Sequence, residues 1–104
     1  PSLEYTSQNH RGILNKLKEV AKANELPLQH HVGSYGNDTM AFFLENTPTA
    51  ILASPLKYMH TTVEMVHRDD VENCIKLYIA FLKDIDDEWI DNINNPLNTG
   101  ILEL

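Results

Sequence analysis

A short, wholly apolar run, Ala50-Ile51-Leu52-Ala53, constrains this chain more than any other feature. Taken with its flanks, Thr49 to Ser54, it reads as a central strand buried on both faces, the mark of a parallel sheet. Directly after it comes a more polar stretch, Leu56 to Val66, which holds an imidazole at His60 and a carboxylate at Glu64. A loop just past the end of a buried strand is where open α/β sheets place their chemistry.

The flanking segments complete an α/β order. Pro1 to Asn9 lacks periodicity and reads as a loop or edge segment, with a short strand at Leu3 and Tyr5 as the other option. From about His10 to Asn24, Ile13, Leu14, Leu17, Val20 and Ala21 recur at helical spacing and predict an amphipathic helix. Ser7 or Asn9 is the expected cap, and Asn24 with Pro27 marks the end. Leu28 to Val32 predicts a short strand, Gly33 to Asp38 a turn, and Thr39 to Glu45 a short helix capped by Asn37 or Asp38. Asp69-Asp70-Val71-Glu72 predicts the capped start of a last helix, with Val71, Cys74, Ile75, Tyr78, Leu82 and Ile85 as its buried stripe. Five carboxylates crowd Asp84 to Asp91, and the remainder to Leu104 reads as an irregular extension. So small a sheet suggests that further strands lie outside these residues.

The totals narrow the class. At 104 residues there is material for one domain, or part of one, burying roughly two-thirds of its unfolded surface. A net charge of −7 argues against a nucleic-acid surface. No apolar stretch approaches the ~20 residues of a membrane span, and no signal peptide is visible. Cys74 stands alone, so it makes no internal disulfide and fits a reducing compartment. A cytoplasmic protein is the expectation. The sequence opens at Pro1 in a polar stretch, without an initiator methionine, and reads as a fragment.

Several side chains could carry chemistry. His60 reads either as an ordinary loop histidine or as a metal ligand, a common role of neutral imidazole. By itself it makes no site, because a metal needs three or four donors and no HExxH or CxxC accompanies it. Glu64 reads as a solvated or capping carboxylate, or as support for the loop or a ligand. Gly36, Asn37 and Asp38 form a glycine turn at a helix start, either a plain cap or a set of amides for an anionic or carbonyl group. His30 and His31 are adjacent on a strand, point opposite ways and read as structural. His67 reads as surface, and Cys74 as core rather than nucleophile.

The order of residues Pro48 to Val66 (PTAILASPLKYMHTTVEMV), followed by Asp70-Val71-Glu72-Asn73, resembles the end of the catalytic domain of the tetrahedral glutamyl and deblocking aminopeptidases, some of which are labelled endoglucanases. The family pattern there is P-T-A with two apolar residues, then R-Y-M-H-S/T-P-x-E-M-V and D-V-E-N. Gly36-Asn37-Asp38-Thr39 stands where the family has G-T-D-A. Lys57 replaces the family's arginine, and Thr62 a proline, which leaves the loop less rigid.

The resemblance implies that residues 1–85 are the C-terminal part of such a catalytic domain, a partial α/β/α sandwich, with 86–104 an acidic, irregular tail. It also implies a metalloaminopeptidase that removes N-terminal residues from peptides with a water activated by two divalent ions, zinc or cobalt. His60 matches the family's last metal ligand. The remaining ligands and the catalytic glutamate lie upstream in that family, so no catalytic residue is expected here and the fragment alone should be inactive. Glu64 would support the loop or a ligand, and Gly36, Asn37 and Asp38 would contact substrate. Peptides are the implied partners, and a homo-oligomer, a dodecamer in the family, the implied assembly. The alternative is a non-catalytic interaction module, or a truncated fragment, that keeps the fold without metals.

Overall fold

The structure, a computed structural model, describes residues 1–6, 9–32 and 39–95. Its elements are β1 (Ser2–Glu4), α1 (Arg11–Ala23), β2 (Gln29–His31), α2 (Thr39–Leu44), β3 (Leu52–Ala53), β4 (Leu56–Lys57), β5 (Met65–Val66), α3 (Arg68–Asp84) and α4 (Asp87–Asn94). An α/β arrangement follows, as the sequence suggests.

Helix α1 forms where its periodicity places it and buries Leu14, Leu17, Val20 and Ala21. Its cap is His10, whose Nδ1 accepts from the Gly12 N–H at 3.0 Å. Asn9, one of the two caps expected, is occupied elsewhere. Its Nδ2 donates to the Thr6 hydroxyl, and its Oδ1 accepts from the Ile51 N–H at 2.8 Å. The other expected cap, Ser7, lies outside the described residues. The helix ends at Asn24, after which Glu25 takes a left-handed φ of 54° and the Leu26 N–H reaches back to the Ala21 carbonyl at 2.9 Å. This six-to-one closure satisfies a terminal carbonyl and turns Leu26 onto the core.

The three-stranded sheet runs β2-β1-β3, with β1 parallel to β2 and antiparallel to β3. This corrects the reading of residues 49–54 as the central, parallel strand. Only Leu52 and Ala53 join the ladder, at an edge, and both are half-buried. The residues before them are held differently: Thr49 accepts from the His10 N–H at 2.6 Å, and the Ile51 N–H goes to Asn9. A backbone donor spent on a side chain cannot also serve a neighbouring strand. The centre is instead β1, in a segment that reads as loop or edge, and Leu3 within it is 0% exposed.

Alternation on β1 sets the layers. Leu3 enters a core with Leu14, Leu17, Val20, Ala21 and Leu77, so α1 and α3 cover that face. Ser2 and Glu4 point the other way, in register with Gln29 and His31 of β2, and Ser2 also faces Ala53 of β3. No side chain of a described helix lines the groove on this second face. Strand and loop residues alone line that groove among the described residues.

Helix α3 starts two residues earlier than expected, capped by His67, whose Nδ1 accepts from the Asp69 N–H at 3.1 Å. Asp69 and Asp70 then lie in the first turn, where carboxylates favour the helix dipole. The expected stripe is not the buried face: Ile75, Tyr78 and Leu82 are 53%, 57% and 52% exposed. The face turned to the core carries Leu77, Ala80 and Phe81, and Asp84 continues that line to meet the Lys16 ammonium at 2.7 Å. Residues 77–82 are apolar without a break, so their spacing fits more than one face, and contact with α1 selects among them.

Residues 87–94 form a helix where an irregular tail was expected. Asp86 caps it by accepting from the Trp89 N–H at 2.8 Å, and Asp87 and Glu88 sit in its first turn. Trp89 meets Phe81 edge to face, with ring centroids 5.8 Å apart. The acidic run that resembles a tail is thus an N-terminal helix signal. No described helix is long and apolar enough to cross a membrane.

Candidate functional site

The stretch from Leu56 to Val66 is a hairpin. Leu56 pairs with Val66 and Lys57 with Met65, antiparallel, and the seven residues between them form the loop that holds His60. Two-residue strands leave almost no alternation to read, which is why the sequence shows a loop here and no ladder.

Within the loop, Tyr58 and His60 both adopt left-handed backbone, at φ 58° and 62°. That region costs a non-glycine residue roughly 1–2 kcal/mol. Polar contacts hold it in place. The Thr61 hydroxyl donates to the Tyr58 carbonyl at 2.6 Å, and the Thr61 N–H reaches the same oxygen at 3.2 Å. The Glu64 carboxylate accepts from the backbone N–H of His60. Glu64 therefore grips the main chain at the histidine, and His60 itself is exposed.

The other candidates are dispersed. Gly36, Asn37 and Asp38 lie outside the described residues. His30 and His31 face opposite sides of the sheet, as adjacent strand residues must: His30 pairs with Leu3 and His31 with Glu4. The Tyr5 hydroxyl hydrogen-bonds His30 Nδ1 at 2.8 Å, and the Arg11 guanidinium lies 5.2 Å from the centre of the Tyr5 ring. His67 is a helix cap, and Cys74 is half-buried on α3. Among the described residues no three His, Cys, Asp or Glu side chains gather closely enough to hold a metal ion.

Two residues help to position the site in ways that the sequence does not suggest. Asn9 is one of the few buried polar side chains, and it ties the start of α1 to the segment that leads into the hairpin. Glu4 lines the groove on the uncovered sheet face, which Met59, the residue before His60, also borders. Nothing in their spacing marks either one; each is found only when distant segments come together. Away from the hairpin, the hydrogen bond to Asp84 raises the Lys16 pKa against the opposing effect of burial, with the charges of Glu19, Asp84 and Asp86 adding to it.

Comparison with known proteins matches residues 3–77 to the family described as M42 glutamyl aminopeptidase. A lysyl aminopeptidase from Pyrococcus furiosus is 40% identical over 72 residues, covering 64% of this chain and 20% of that protein. The chain thus spans about a fifth of that relative's length. The match takes in β1 through most of α3, the hairpin with His60 included, and excludes α4. On that span the chain belongs to the M42 glutamyl aminopeptidase family.

Proposed function

We propose that these residues form the C-terminal part of the catalytic domain of a metal-dependent aminopeptidase, with His60 as one donor to a two-ion centre. The observation that supports this reading is the presentation of His60. It is exposed, its backbone is fixed by Glu64, and it stands within the Tyr58-Met59-His60 sequence of a family-matched span. Neutral imidazole in that setting is a good ligand for zinc or cobalt.

The described residues do not by themselves fit a metal centre, since three or four donors are needed and no three assemble here. The further ligands and the catalytic acid–base residue belong outside this span, and these 104 residues alone should neither hold zinc tightly nor cleave peptides. Their own contribution is positional. Glu64 carries the His60 main chain, Thr61 closes the turn onto Tyr58, and Gly36, Asn37 and Asp38 are assigned to the peptide substrate. In the full-length protein we expect homo-oligomers acting on peptides in the cytoplasm.

The test is His60→Ala in the full-length protein, assayed on aminoacyl anilides with cobalt or zinc. Activity should fall at least about 100-fold, beyond the loss typical of an outer partner of a ligand, with less metal retained per subunit. Unchanged turnover with unchanged metal content would remove His60 from the centre. A non-catalytic module gives a third result, no hydrolysis by the parent protein under any metal.

A further inference from the structure

Helix α3 carries two lines of apolar side chains. Leu77, Ala80 and Phe81 turn to the core, while Val71, Ile75, Tyr78 and Leu82 follow one another at intervals of four, three and four. At about 100° per residue these four share one narrow stripe, away from the core-facing line. All four stand open, between 36% and 57% exposed. Ile79 carries the stripe on to a groove of about 550 Å³ between α3 and α1, floored by Val20, Ala23, Leu26 and Ala80. A helix that is apolar on more than one side is one that is covered on more than one side. Contiguous exposed apolar surface edged by charge, here by Lys76 and Lys83, marks a contact.

From this surface we propose that the second face of α3 is an internal seam, covered in the full-length protein by an amphipathic helix from the part of the chain that precedes Pro1. The proposal rests on reading these residues as the C-terminal part of a longer catalytic domain, and on nothing about its chemistry. They span about a fifth of the matched relative's length, and the rest of such a chain has ample room for the covering helix. Spacing selects the partner. A stripe at intervals of four, three and four is the seam onto which one further helix packs nearly in line with α3. Helix α3 would then lie between that helix and α1. Charge narrows the partner further. Among the described residues Lys76 and Lys83 have no ion-pair partner, so carboxylates along the edge of the docked helix would meet them.

The experiment uses the full-length protein. Hydroxyl-radical footprinting should oxidise Tyr78 and Leu82 about 10-fold or more slowly in the native protein than in urea. Carbodiimide coupling should join Lys76 or Lys83 to a carboxylate upstream of Pro1. With isotopically light and heavy chains refolded together, the linked peptides should be all light or all heavy. Ile75→Ala should lower the melting temperature by about 5 °C or more, the loss expected of a packed residue and not of an open one. Native oxidation within about twofold of the unfolded rate, or an Ile75→Ala variant that melts with the parent protein, overturns the seam. So do mixed light–heavy links, which would give the face to a second copy. If Tyr78 is shielded within one chain but no aminoacyl anilide is cleaved with cobalt or zinc, the seam stands and the aminopeptidase reading falls. If anilides are cleaved while Tyr78 stays open, only the seam falls.

Discussion

The core formed by β1, α1 and α3 and the hairpin β4–β5 are held together by different physics. Leu3, Leu14 and Leu77 are at most 1% exposed, and that region is fastened by apolar burial. In the hairpin, Leu56, Tyr58, Met59, Met65 and Val66 are all exposed, and shape comes from ladder bonds and a few side-chain-to-backbone contacts. The difference teaches where each task lies. The core supplies stability, while the hairpin holds the main chain at an exposed His60 and supplies little stability of its own.

The strongest way to break this division is a paired truncation. Leu77→Ala should cost about 2–5 kcal/mol in urea unfolding, whereas His60→Ala should stay within about 0.5 kcal/mol. Comparable losses would show that the hairpin is part of the core. Asn9→Ala, which acts where the two regions join, should cost about 1–3 kcal/mol by leaving the Ile51 N–H without its acceptor. Hydrogen exchange should then quicken at Ile51; an unaltered rate there would show that Asn9 does not bind the regions together. Glu64→Ala should sharpen the contrast by changing global stability by less than about 1 kcal/mol while speeding amide exchange at His60. Slow exchange at that amide in the variant would assign the turn to Thr61 instead.

The smallest effect is the Lys16–Asp84 pair, which fastens α1 to α3 within the core region. Lys16 lies above its ordinary value of 10.5 because its ammonium is bonded to Asp84, so folding favours the protonated form. The resulting stability is present in full below the unfolded pKa and is lost as pH rises through the higher folded value. Asp84 is half-exposed, which limits the pair to about 0.5 kcal/mol. Lys16→Met should remove this part of the alkaline decline in melting temperature and leave the neutral-pH fold intact. An identical alkaline profile in the variant would contradict the assignment.

How much of this was legible depended on whether a segment's partners are local. The extent and buried face of helix α1 could be read, though not its His10 cap, because each turn repeats the same apolar face. The family pattern around His60 was legible for another reason, since it lies in residue order. The face of α3 was not, because six consecutive apolar residues from Leu77 to Leu82 leave periodicity undecided. Strand β3 misled: apolar residues 50–53 look like a central strand, yet the bond from Ile51 to Asn9 bridges 42 positions and no window reveals it. Helix α4 was missed because its carboxylates suggest solvent, although three of them cap or line its first turn. The site was legible as a histidine in a sequence pattern, and illegible as a hairpin with a gripped main chain.

Tyr58 and His60, each turned into the left-handed basin, carry one last implication. Few alternative shapes are open to a peptide pinned at two such points within three residues. A ligand at the proposed site would meet a main chain already set at His60, and docking need forfeit little chain freedom there. Folding has charged that entropy in advance.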